Sequence, residues 1–225
     1  MKPKPRLWTA PPIWKGGTCF IIGGGPSLRG VNLRPFLTGR KVIAVNDAYG
    51  DYHGDTPSSI ICREWVPVCF FGDIGWWNMH KGNLRHYNGI LVTNAPESEC
   101  IKHNLPKWVR YMKREPVGFC TEPNGLAWCK NSGATAINLA YHLGASKVVL
   151  LGFDMKAGPK GERNYHPNQK NPDPPSKSLL QLHTSGFDAL AKAIKDKGVQ
   201  LEVVNATPNS ALPTFPLVSF QETLK

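Results

Sequence analysis

Short apolar runs bounded by turn residues recur along the chain, and helical spacings fill the intervals between them. The run at 18–23, TCFIIG, reads as a buried strand. The runs at 41–46 (KVIAVN), 66–73 (VPVCFFGD), 89–94 (GILVTN), 147–151 (KVVLL) and 199–205 (VQLEVVN) read the same way. A helix is expected over 26–37, opened by Pro26, and another over 74–87. A third opens on Ser132 as N-cap and carries an apolar stripe of Ala136, Ile137, Ala140 and Leu143, until Gly144 stops it. His183, Phe187, Leu190, Ala191 and Ile194 line one face of a last helix that ends before Gly198. The stretch 206–212, ATPNSAL, reads as a turn with a short helix start.

Alternating strands and helices imply an α/β protein with a doubly wound, mainly parallel sheet and right-handed crossovers. A chain of 225 residues can bury its core as one large domain. The expected organisation is an arm over 1–17 and a single nucleotide-binding domain over 18–225. Within that domain, 95–130 is irregular and rich in Pro, Trp and Lys, and reads as a cap or insertion. The stretch 156–177 lacks apolar periodicity and is crowded with prolines, as expected of a lid loop. Ligands of such sheets bind outside the carboxyl ends of the strands. The polar residues there are Gly23 to Ser27, Asn46 and Asp47, Asp73, Asn94, Asp154, and Asn205 to Ser210. Singly, each is as readily a turn-former as a ligand; their shared position favours a pocket.

Charge adds a direction. The formal net charge is +11, and residues 1–46 hold eight Lys or Arg with no acidic residue. A basic arm with Trp8 and Trp14 could bind nucleic acid, or steer an anionic substrate. The six cysteines form no C-x-x-C pair and no metal spacing, so reduced core thiols are expected before a zinc site. No apolar run approaches membrane-spanning length, and the N-terminal stretch has no signal-peptide core. The expectation is a cytoplasmic protein without integral membrane association.

The loop GGGPS, residues 23–27, follows the first strand. Glycines let a ligand approach the backbone at a helix N-terminus, which would cradle a phosphate. A glycine-rich turn that binds nothing fits equally well. Neither the dinucleotide fingerprint G-x-G-x-x-G nor the phosphate-loop pattern is present.

IIGGGPSL, AVNDAY, NSGATAINLAYHLGASKVVLLGFDM and VVNATPNSAL appear in that order. This set resembles the bacterial sialyltransferase-like superfamily, a Rossmann-like fold shared by lipooligosaccharide sialyltransferases and archaeal-type 6-hydroxymethylpterin diphosphokinases. It is also similar to phage and prophage proteins of this length. The resemblance covers most of 19–215, and implies a nucleotide- or nucleotide-sugar-dependent transferase. The glycine loop maps onto Gly23, Gly25, Pro26 and Ser27, the nucleotide-contacting asparagine onto Asn46, and the Ser-Gly before the central helix onto Ser132 and Gly133. The Pro-Asn-Ser motif maps onto Pro208, Asn209 and Ser210, and the catalytic histidine falls near His183. The chain departs from the sialyltransferases at Gly24, where they carry asparagine, and at Lys156, where they carry tyrosine. Tyr165 is the candidate for a second tyrosine on the leaving phosphate. The departures leave a nucleotide with a phosphate leaving group as the implied donor, rather than CMP-sialic acid in particular.

Three functions follow. Glycosyl transfer needs a base at the acceptor hydroxyl and positive charge on the departing phosphate. His183 and His166 are the candidate bases, with Asp154 beside them at a strand end. Lys156 and Arg163 are the candidate cations. His183 also fits a core histidine, and His166 a solvent-exposed one. Pyrophosphate transfer to a small heterocyclic alcohol would instead need Mg²⁺, held by Asp73 and Asp154. A non-catalytic nucleotide- or DNA-binding phage protein would use the arm together with Trp8, Trp14, Trp76 and Trp77. For the transferase, a DNA-modifying role on an anionic or nucleic-acid-related acceptor is the expectation.

Overall fold

The computed structural model describes residues 2–51, 60, 61, 65–166 and 173–225. Along β1 (Gly17–Ile22) side chains divide by parity: Cys19 and Ile21 enter one core, Phe20 and Ile22 the other. A pleated strand covered on both faces must do this. The same division recurs in β2 (Lys41–Val45), where Ile43 and Val45 oppose Val42 and Ala44.

The remaining elements follow in chain order. After β1 come a 3-10 turn (Pro26–Leu28) and α1 (Arg34–Leu37); after β2, a second 3-10 turn (Asn46–Tyr49), then β3 (Gly50–Asp51) and β4 (Ile60–Ile61). Next are β5 (Val68–Phe71), α2 (Ile74–Leu84), β6 (Ile90–Thr93), α3 (Glu97–Lys102), β7 (Arg110–Tyr111), β8 (Lys113–Glu115) and β9 (Gly125–Ala127). The chain ends with α4 (Ser132–His142), β10 (Ala145–Leu151), α5 (Lys177–Asp196), β11 (Glu202–Asn205) and a 3-10 turn (Gln221–Leu224).

Seven strands form one parallel sheet in the order β11-β10-β1-β2-β5-β6-β7. The doubly wound α/β class is therefore what the chain adopts. From β1 the chain winds outward through β2, β5, β6 and β7, then returns to lay β10 and β11 on the other side. The order reverses between β1 and β10, and a crevice opens at such a switch point. Ile22 sits level with Leu151 on one side and Ala44 on the other, so three strands release their loops at one height.

The sequence expectations differ from the structure in several places. The helix over 26–37 is two short pieces. Gly30 turns left-handed at φ +73 between them, and Pro35, which has no N–H to donate, sits in the first turn of α1. The N-cap of α4 is Asn131 rather than Ser132, its side chain accepting from Gly133 N at 2.7 Å and Ala134 N at 3.4 Å. Residues 206–212 form turns without a helix start. The stretch 95–130 holds α3, β7, β8 and β9; β7 closes the sheet's edge, while Met112, Phe119 and Leu126 enter the core.

Residues 2–17 lie along the domain. Trp8 N donates to Tyr111 O and Trp14 N to Leu143 O, and Lys4 pairs with Glu97 at 3.0 Å. Trp14, Trp76 and Trp77 are buried, so of base stacking and core packing, both open to them in the sequence, they take the packing. Phe71 lies stacked against Trp77, and Trp76 covers His80. Among the described residues no helix is long and apolar enough to cross a membrane. The described cysteines are free thiols buried in the fold, and no group of three or more His, Cys, Asp or Glu among the described residues could hold a metal.

Candidate functional site

A cavity of about 500 Å³ lies at the switch point, beyond the carboxyl ends of β1, β2, β5 and β10. Gly23, Gly24, Gly25, Asn46, Asp73, Ser132, Gly133, Asp154, Lys156, His166 and His183 all line it, so the fold brings most of the sequence-derived candidates together. Its size is that of a small-molecule site.

Of the two readings open for the glycine loop, phosphate cradle or packing turn, the hydrogen bonds of its amides favour the turn. Gly23 N donates to Leu151 O, Gly25 N to Gly152 O, and Ser27 N to Asp154 Oδ1. Three of the loop's amides are thus turned inward, and Pro26 has none. The glycines serve close packing instead. A Cβ on Gly25 would overlap the Asp154 carboxylate, and one on Gly24 would come within 2.9 Å of His166 Nε2 and 3.1 Å of Asn164 Oδ1. Tyr165 N donates to Gly24 O, so the start of the lid stretch is latched onto the loop.

Asp154 holds that loop with both oxygens: Oδ1 takes the Ser27 amide and Oδ2 its hydroxyl, at 2.9 Å. Burial raises its pKa against the Ser27 hydrogen bonds and the Lys156 charge, which lower it. Asp73 caps α2, accepting from Trp76 N at 2.8 Å. Both carboxylates of the suggested Mg²⁺ pair therefore carry structural bonds. Asn209, at φ +53, and Ser210 do not line the cavity, and Ser210 with Ala211 braces the loop after β10. Ser210 Oγ donates to Phe153 O at 2.6 Å and Ala211 N to Asp154 O at 2.8 Å. Tyr165 packs edge-on to His166 and against the core that holds Phe20.

His183 faces the cavity from α5, beside the N-terminus of α4, where Asn131 Nδ2 donates to its carbonyl at 3.3 Å. Burial, and then the Arg163 charge, hold its imidazole below the ordinary histidine pKa. A neutral ring at pH 7 is competent to take a proton. Arg163 also donates to the carbonyls of Asp173 and Pro174. Lys170, which the sequence places in the lid stretch with His166 as a further phosphate contact, lies outside the described residues.

Several lining residues escaped the sequence reading. Lys130 and Met155 adopt left-handed backbone, at φ +55 and +51, as does Asn46 at φ +53. Non-glycine residues held there are costly and concentrate at functional sites. Trp128 lines the same wall, with the Arg114 guanidinium 4.1 Å from its ring centroid. Arg114 itself donates to Asn94 O and Gly72 O. Nothing in the local sequence marks Trp128, because its place comes from the packing of 113–128 under the sheet's edge.

The lining carries charge of both signs: Lys130, Lys156 and Arg163 with the α4 N-terminus, against Asp47 and Asp73 at the ends of β2 and β5 and Asp154 after β10, whose carboxylate is taken up by Ser27. An anion is favoured beside the α4 N-terminus by the helix dipole and the three cations together.

No protein-family profile and no curated protein matches this chain. In fold the chain is similar to the sialyltransferase CstII from Campylobacter jejuni, solved in complex with a substrate analogue, cytidine-5'-monophosphate. The TM-score is 0.51 at 16% identity, over 91% of this chain and 86% of that one.

Proposed function

We propose that this protein is a nucleotide-sugar-dependent transferase of the glycosyltransferase type, with the donor's phosphate on the β10 side of the cavity and His183 as general base. The observation that carries this reading is the convergence of a neutral imidazole, three cations and the α4 N-terminus on one switch-point cavity. The similarity in fold to a sialyltransferase solved with a nucleotide supports it.

In the reaction, His183 removes the acceptor hydroxyl's proton as its oxygen attacks the sugar's anomeric carbon. The bond from that carbon to the phosphate oxygen breaks, and the phosphate leaves with the electron pair. Lys156 and Arg163 stabilise the charge that develops there. His166 lines the cavity beside Gly24, next to the Tyr165 amide that bonds Gly24 O. Proton transfer of this kind contributes roughly 10²–10⁴-fold. The net charge of +11 supports an anionic acceptor, including a nucleic-acid-related one, through electrostatic steering.

A thermal-shift series with cytidine, uridine, adenosine and guanosine phosphates and their sugar conjugates, with and without Mg²⁺, tests the reading. A ligand at 100 times its dissociation constant adds about 2.7 kcal/mol of stability. One nucleotide class is expected to stabilise the chain, and its sugar conjugate to be consumed when an acceptor is supplied. Absence of stabilisation by every compound overturns the proposal.

A further inference from the structure

Asp47 and His80 form a pair that the transfer chemistry does not use. Asp47 lines the cavity at the end of β2, and its Oδ1 lies 3.0 Å from His80 Nε2. A carboxylate only accepts, so His80 donates through Nε2, and its Nδ1 meets Tyr49 Oη at 3.2 Å. Trp76 stacks on the imidazole with ring centroids 4.6 Å apart and planes 20° from parallel. The ring is therefore fixed in position.

Beside Asp47, Asn46 is held at φ +53, and its buried Oδ1 has no hydrogen-bond partner. A buried acceptor left unpaired costs about 1–3 kcal/mol, so it marks a place for a donor that arrives with a ligand. Asp47 already accepts from His80, and the Trp76 side chain also favours its charged form; a carboxylate has lone pairs for a further donor beside the one that Asn46 lacks. Both residues lie at the end of the strand that follows the glycine loop. In dinucleotide-binding sheets that carry the glycine fingerprint an acidic residue there takes a ribose hydroxyl, and this chain, which lacks the fingerprint, places Asp47 at the corresponding strand end. Adjacent ribose hydroxyls supply two neighbouring donors.

We infer that Asp47, oriented by His80, receives the ribose 2′- and 3′-hydroxyls of the nucleotide together with Asn46, and so selects ribonucleotides over 2′-deoxyribonucleotides. His80 acts through Asp47 and is a positioning residue. This rests on the nucleotide-dependent reading above. The α4 N-terminus, with Lys130, Lys156 and Arg163, then takes the phosphate. A carboxylate on this wall also disfavours ligands that would place an acid group there.

The test is the ratio of dissociation constants for 2′-deoxy and ribo forms of the monophosphate that stabilises the wild type most, by titration calorimetry. A hydrogen bond to a charged acceptor predicts a wild-type preference for the ribo form of roughly tenfold or more. In D47N and H80A the ratio falls towards one, and H80Q, which keeps a donor for Asp47, restores part of it. A wild-type ratio near one overturns the inference while leaving the transferase reading standing. So does a ratio preserved in D47N and H80A, even if both affinities drop together. Absence of binding by any of the four monophosphates and their sugar conjugates overturns both.

Discussion

Asp154 and Ser27, separated by 127 residues, meet through two hydrogen bonds: the Ser27 amide at 3.0 Å and its hydroxyl at 2.9 Å both end on the carboxylate. The pair joins the loop after β1 to the loop after β10, the two strands between which the cavity opens. Removing the carboxylate leaves two donors without their acceptor. D154A is expected to lose about 1–3 kcal/mol of unfolding free energy, and D154N less, because it keeps one acceptor oxygen. Urea unfolding followed by tryptophan fluorescence reads the difference.

The glycines of the chain separate by what lies where a side chain would be. At Gly25 a Cβ would overlap Asp154, whereas at Gly82, inside α2, no atom lies within 4 Å. G25A is expected to destabilise the fold and enlarge or misshape the cavity. G82A is expected to stabilise it by about 0.5–1 kcal/mol, the ordinary gain of alanine over glycine in a helix. Thermal unfolding of the two variants should move in opposite directions.

His183 is predicted to be neutral at pH 7. Its folded pKa lies below the ordinary histidine value of about 6.5, through burial and the Arg163 charge. An NMR titration assigned with H183Q should show its midpoint below that value. The acid limb of kcat/KM should follow the same midpoint, and H183Q should cost roughly 10²–10⁴-fold in the transfer rate. In R163Q the midpoint should rise, since a repelling charge is gone.

His142 sets a pH dependence of stability. At the last turn of α4 it is 7% exposed, and burial pushes its pKa down to about 4. Between pH 4 and about 6.5 the unfolded chain binds a proton that the folded chain refuses, so stability falls as pH falls through that window. The loss approaches roughly 3 kcal/mol by pH 4, because each tenfold difference in proton affinity between the two states is worth about 1.4 kcal/mol. Denaturant titrations at pH 7 and pH 4.5 should reveal it, and H142Q should flatten the slope.

Asn138 ties the stretch before α4 to the helix. Its Oδ1 accepts from Cys120 N at 3.0 Å and Ala127 N at 3.1 Å, and its Nδ2 donates to Cys120 O at 2.8 Å. N138A strands buried backbone groups and should cost several kcal/mol, at about 1–3 kcal/mol for each group left unpaired. Hydrogen exchange at Cys120 and Ala127 should accelerate first.

The pattern of apolar runs was enough to place six of the seven strands of the main sheet, and the edge strand β7 escaped it. A two-residue strand within a polar stretch has no period to detect. The strand ends likewise exposed Asn46, Asp73 and Asp154, because turn chemistry must follow a buried strand. Their partners were not legible. Asn131 rather than Ser132 caps α4, a choice made by the angle at which the chain enters the helix.

Period and punctuation along the chain determined the α/β class, the winding of the sheet, and the edge at which a ligand would sit, since burial on both faces and helix spacing are local properties. The use of each polar group at that edge was decided by contacts between segments far apart in the chain. Parallel strands in fixed register bring Ser27 to Asp154, and the placing of α2 over β5 brings His80 to Asp47. Hydrogen bonds reach only about 3 Å, so whether a loop amide faces a ligand or a carboxylate depends on packing that no single stretch of residues contains.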